Sequence, residues 1–128
     1  MTALGAGTPH LPRQAPIDAY GNGGFRFAGM SHKGSLLCLP DGIWAWPIAD
    51  MAAFDALALS PVFARLAALD FFLLGTGRDP RPLPQPLRTE FRSANVSADA
   101  MATGAAVRTY NILVAENRRV AAALIAVD

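Results

Sequence analysis

The residues best suited to chemistry lie where an apolar run, Phe71 to Leu74, breaks into Gly75-Thr76-Gly77-Arg78. A buried strand that ends in a glycine-threonine turn beside an arginine is one way that α/β proteins hold a phosphate. A similar turn, Thr103-Gly104, follows a second expected strand and opens an expected helix that carries Arg108. Strand C-termini in open α/β sheets line a shared crevice, and a helix N-terminus offers free N–H groups and the positive end of its dipole. If the two strands are neighbours, their turns converge. Gly75, Thr76, Gly77, Arg78, Thr103, Gly104 and Arg108 would then form a small-anion site. The competing role for these residues is structural: Thr103 caps its helix and the glycines permit tight turns. Neither a Walker pattern nor a complete Gly-x-Gly-x-x-Gly fingerprint is present, so nucleotide binding is the weaker expectation.

Other reactive residue types are sparse. Ser31-His32-Lys33-Gly34-Ser35 holds residues used in nucleophilic catalysis, but adjacent strand residues point to opposite faces. His32 reads as a turn or strand-edge histidine, and His10 falls in the expected tail. The single cysteine, Cys38, lies within Leu36-Leu37-Cys38-Leu39 and reads as a small buried hydrophobe. It excludes an intrachain disulfide and a thiolate zinc cluster. No metal or cofactor is expected, and no catalytic residue can be named. Arg108 and Asn111 share a helix face and suit solvent or a tie to a neighbouring loop. Tyr110 suits a ring packed at the core edge with its hydroxyl bonded.

The elements that would position these residues are legible in the chain. Residues 1–16 hold three prolines and two glycines and are expected as a flexible tail, with one α/β domain over 17–128. Gly21-Asn22-Gly23-Gly24 reads as a turn before the alternating Phe25-Arg26-Phe27. Ser35 to Leu39 and Ile43 to Trp46 flank Pro40-Asp41-Gly42, a hairpin in which glycine is expected at positive φ. Trp44 and Trp46 share one strand face and are a candidate apolar contact patch, as is the last strand. Alanine- and leucine-rich residues 50–69 favour helix, capped at either Asp55 or Ser60 with Pro61 next. Phe71 to Leu74 lacks polar alternation, as a strand covered on both faces does. A short helix over Pro86 to Ala94, a strand near Val96 to Met101, a helix from Thr103 to about Glu116 and a strand from Val120 complete a mixed sheet.

With 52% apolar and 16% charged residues, the chain is expected to fold rather than stay disordered. No apolar run approaches the ~18 residues of a membrane span. A net charge of +1 gives no footprint for nucleic acid. Arg78, Arg81, Arg88 and Arg92 cluster, and a solvated face explains them most simply. Without a basic start followed by an apolar stretch, no secretory signal is expected, and the cytoplasm is the expected compartment.

Together, "YGNGGFRFAG", "HKGSLL", "LLGTGRDPRPLP" and "TGAAVRTYNILVAENRRVAAALIAV" resemble the Mth-nine-three-eight domain family, over Ile17 to Val127. The family comprises small uncharacterised bacterial and archaeal proteins, with mitochondrial relatives that include an assembly factor of respiratory complex I. The resemblance implies a three-layer α/β domain around a mixed sheet and supplies no catalytic residues. Relatives tend to carry glycine at Asn95 and Asn117, where asparagine also tolerates the left-handed conformation, and many carry an acid at Ala102. Two functions follow as expectations. By analogy with the mitochondrial relatives, the chain is a non-enzymatic interaction or assembly module with protein partners. Alternatively, it binds a small anion or other small molecule, or acts on one, in the crevice between the two turns.

Overall fold

In a computed structural model, which describes residues 9–128, the apolar runs become the middle of a sheet covered on both faces. Among the described residues, β1 (Ala19–Gly21), β2 (Gly24–Phe27) and β3 (Met30–Lys33) form a small antiparallel sheet. A second sheet of five strands has the order β5 (Gly42–Trp46), β4 (Ser35–Leu39), β8 (Val120–Leu124), β6 (Phe71–Gly75), β7 (Ser97–Met101). β6 runs parallel to both β7 and β8, and β4 is antiparallel to β5 and β8. The mixed α/β architecture expected from the sequence is therefore present.

Period-two alternation sorts each central strand between two cores. Leu37, Leu39, Phe72, Leu74, Ala121 and Ala123 face one layer, where Phe91 stacks between Phe63 and Phe72 at 4.9 and 4.8 Å. That layer holds α1 (Ser60–Phe63) and α2 (Gln85–Ser93). Leu36, Cys38, Leu73, Val120, Ala122 and Leu124 face the other layer, built from α3 (Thr103–Ala115) and the small sheet with Phe25 and Phe27. Burial on both sides explains why these strands read as unbroken apolar runs.

Both expected left-handed asparagines occur, Asn95 at φ 60° and Asn117 at φ 59°. Each follows a helix whose last carbonyls accept in the Schellman pattern: Asn95 N–H to Arg92 and Val96 N–H to Phe91, then Asn117 N–H to Val114 and Arg118 N–H to Leu113.

Four details differ from the sequence expectations. First, residues 50–69 form short 3-10 turns and the four-residue α1 instead of one helix. Asp50 and Asp55 each accept the N–H three residues on, from Ala53 and Ala58, so each aspartate starts a separate turn. Ser60 lies inside α1 and caps nothing. Second, Gly42 is absent from the positive-φ glycines. A Cβ there would meet the Leu11 carbonyl oxygen at 2.9 Å and the Trp44 ring at 2.9 Å, so close approach is what needs glycine. Third, Trp44, Trp46 and β8 are buried beneath the turns and helices, so none forms an exposed patch. Fourth, the segment expected as a tail divides. Residues 1–8 lie outside the described residues, whereas 9–16 strap the domain. His10 N–H bonds Ile43 O at 2.8 Å, Ile43 N–H bonds Leu11 O at 2.9 Å, and Gln14 Nε2 bonds Val120 O at 2.8 Å. The fully buried Tyr110 donates its hydroxyl to Ala15 O at 2.9 Å.

Candidate functional site

Because β6 and β7 are parallel neighbours in register from Phe71 with Ser97 to Gly75 with Met101, both strands end at the same level. The Gly75-Thr76-Gly77 and Thr103-Gly104 turns therefore do meet. They meet by bonding to each other. Thr103 is completely buried; its Oγ1 donates to Ile125 O at 2.7 Å and accepts from Gly77 N–H at 2.9 Å. Thr103 N–H bonds Gly77 O at 2.8 Å, and Thr76 N–H bonds Met101 O at 2.8 Å. Thr76 Oγ1 lies 2.7 Å from Asp79 O and 3.2 Å from Met101 O, and it accepts from Arg81 N–H at 3.2 Å. The Thr103 hydroxyl thus ties together the ends of β6 and β8 and the start of α3.

Glycine is required here by proximity. A Cβ on Gly75 would sit 3.0 Å from Leu124 and 3.1 Å from Thr103 Oγ1, and one on Gly104 would collide with the Tyr20 hydroxyl. Gly77 also needs its conformation, with φ 99°.

The seven candidate residues are consequently placed differently, with Gly77 both buried in the knot and at the edge of a crevice. Gly75, Thr76 and Thr103 are buried, and the polar atoms of the two threonines are engaged within the fold. Gly77, Arg78, Gly104 and Arg108 line an open crevice of about 350 Å³, with Tyr20 and Asp128 also in its lining. Both arginines are exposed, and neither joins an ion pair among the described residues. At the α3 N-terminus, the N–H groups of Gly104 and Ala105 precede the first in-helix bonds and border this crevice. A larger hollow of about 590 Å³ lies beyond Gly77 and Arg78, and its lining includes Thr76, Arg78 and Arg81 together with Asp50, Asp79 and Asp128. Three aspartates there outnumber two arginines, which does not favour an anion.

Cys38, Tyr110 and Asn111 serve the fold. Burial pushes the Cys38 thiol up to about 12, so it carries no thiolate at neutral pH. Burial likewise pushes the neighbouring Tyr110 phenol well above its ordinary range. Asn111 clamps the chain entering the small sheet: its Oδ1 accepts from Ile17 N–H at 2.8 Å and its Nδ2 donates to Ile17 O at 2.8 Å. Sequence reasoning gave Asn111 a tie to a loop but could not supply the partner, which lies 94 positions away.

One contact escaped sequence reasoning altogether. The rings of His10 and His32 meet with centroids 4.7 Å apart, and His32 Nε2 lies 3.1 Å from Ser35 O. Desolvation, with a smaller repulsion from His10, holds His32 below the ordinary histidine range. Treating residues 1–16 as a tail removed the only signal that could have paired the two.

A family model described as "Protein of unknown function (DUF498/DUF598)" matches residues 17–125. The chain belongs to this family. A solution structure of a Bordetella pertussis protein, described as a Mth938-like domain, is 27% identical with a TM-score of 0.72, covering 88% of this chain and 85% of that one. The crystal structure of a Bartonella henselae protein, described as an outer membrane protein, is 47% identical with a TM-score of 0.87, covering 93% of this chain and 100% of that one. The Danio rerio NADH dehydrogenase (ubiquinone) 1 alpha subcomplex assembly factor 3 is 28% identical over 109 residues, 85% of this chain. The match spans 63% of that protein's length. The family resemblance seen in the sequence is thus confirmed, together with a distant relationship to a complex I assembly factor. Among the described residues no helix is long and apolar enough to cross a membrane.

The Thr103 knot has a measurable consequence. Thr103→Val leaves Gly77 N–H and Ile125 C=O buried without partners and should destabilise the domain by about 3 kcal/mol in chemical denaturation. Arg78→Ala, at an exposed position in the same turn, should change stability by less than about 0.5 kcal/mol.

Proposed function

We propose that this domain is a non-enzymatic interaction module that helps to assemble a larger protein complex. The observation that carries the reading is the relationship to assembly factor 3, which covers most of this chain. The local chemistry supports it. The hydroxyls of Thr76, Thr103 and Tyr110 are engaged with backbone groups, and Cys38 is buried as the neutral thiol. These four side chains are therefore structural supports. The partner is a protein, with subunits of respiratory complex I the first candidates, and the compartment is the cytoplasm. Affinity capture of the tagged chain from its own cells, read by mass spectrometry, tests this. The expected result is stoichiometric recovery of complex I subunits or their assembly intermediates. Capture of the domain without a stoichiometric partner would overturn it.

A second reading rests on one observation: Arg78 and Arg108, from different segments, border the same crevice as Gly104 and Ala105 in the first turn of α3, and two guanidiniums there outnumber the one side-chain carboxylate, Asp128. In this reading a phosphate or small carboxylate sits over Gly104 and Ala105, held by the two guanidiniums. Millimolar phosphate should then shift the amide resonances of Gly104 and Ala105 saturably. Those of Thr76 and Gly77, already bonded, should move little. Unresponsive Gly104 and Ala105 amides would remove this reading.

A further inference from the structure

β7 is the open edge of the five-stranded sheet. The opposite edge, β5, is met by the strap at Leu11 and Ile43, whereas β7 pairs with β6 alone among the described residues. The ladder determines which backbone groups face outward. Ser97 N–H bonds Asp70 O and Met101 O accepts from Thr76 N–H, so Ser97, Asp99 and Met101 direct their backbone groups toward β6. Ala98 and Ala100 direct theirs away from it. Asp99 Oδ1 accepts from Ala100 N–H at 2.9 Å. This leaves Ala98 N–H and the carbonyls of Ala98 and Ala100 for a sixth strand. β7 keeps five consecutive pairs with β6 and contains no proline or lysine, two of the usual guards of an exposed edge.

Charge selects the occupant. A crevice of about 460 Å³ runs beside this edge, lined by Arg88, Arg92, Asn95, Val96, Ser97 and Ala98. Arg88 and Arg92 stand one turn apart on α2 and are exposed, and neither joins an ion pair among the described residues. Glu90, the acid of α2, lies outside that lining. Ala98 and Ala100 pack toward the α2 side of the sheet, so Asp99 stands on the opposite face. A second copy fits poorly. Twofold pairing of β7 with itself would bring the two Asp99 carboxylates together on one face and gather four arginines on the other.

We propose that β7 is a docking edge for an extended acidic segment of a partner protein. The segment adds a sixth strand and sets alternate carboxylates against Arg88 and Arg92. Its side chains on the opposite face, beside Asp99, are uncharged. The proposal names the partner chemistry for the assembly-module reading and rests on it. A binding test with purified components keeps its failure separate from failure of capture in cells.

The test is titration of the isotope-labelled domain at low salt with a blocked heptapeptide alternating valine and glutamate. Saturable shifts at the Ala98 and Ala100 amides are expected, with binding about tenfold weaker for the valine–lysine peptide. The double variant Arg88→Glu and Arg92→Glu should reverse that preference. Ala98→Pro removes an outward N–H while leaving the bonds to β6, so it should abolish binding with the thermal midpoint little changed. Absence of saturation at Ala98, or equal binding of the two peptides by the unaltered domain, would overturn the proposal. So would a domain dimer that Ala98→Pro dissolves, which would make a second copy the occupant.

Discussion

The hydroxyl of Thr103 is the constraint on which the C-terminal end of the sheet depends. It donates to the residue just beyond β8 and accepts from the turn after β6, while its own backbone begins α3. Three segments distant in sequence are thereby held by one buried oxygen. A buried donor or acceptor without a partner costs more than a paired one contributes, so the arrangement is effectively all or none. Gly75 and Gly104 are needed because the backbone and Tyr20 approach too closely for a side chain. What resembles a phosphate cradle locally is, in three dimensions, a knot whose inward groups are already bonded.

From that knot outward, several buried or half-buried polar side chains tie distant chain segments together. Asn111 clamps Ile17, Tyr110 holds Ala15, and Gln14 reaches Val120. These bonds lash the N-terminal strap over the α3 side of the sheet, opposite the aromatic stack of Phe63, Phe91 and Phe72. Among the surfaces left unengaged in the described residues are the rim of the crevice at Arg78 and Arg108 and the bare edge of β7 beside Arg88 and Arg92. Both are polar and carry two arginines each, with Asp128 also in the lining of the first and Asp99 on the strand of the second. Such features suit contact with another macromolecule or an anion better than enclosure of an apolar substrate.

How much of this was legible in the sequence follows from where the information lies. Strands β4, β6 and β8 were readable because burial on both faces leaves unbroken apolar runs. The ends of α2 and α3 were readable because asparagine stands where the left-handed position falls. Residues 50–69 were misread because composition outweighed two aspartates that each restart a turn. The turns at Gly75 and Thr103 were found, but their partners were out of reach: the acceptor for Thr103 is Ile125, 22 positions on. The strap was missed for the same reason, since its bonds run to Ile43, Tyr110 and Val120. Gly42 shows the limit most sharply. Its glycine was expected for a positive φ and is needed because Leu11 and Trp44 crowd it.

A knot and a cradle differ most directly at the backbone N–H of Gly77. A cradle must leave that group open to ligand, whereas the knot seals it against Thr103 Oγ1 in a buried site. Amide hydrogen exchange of the ligand-free domain, followed residue by residue, separates the two. The account requires Gly77 to exchange as slowly as Leu73 and Leu74 within β6. Exchange at Gly77 as fast as at the exposed Arg78 beside it would contradict the account.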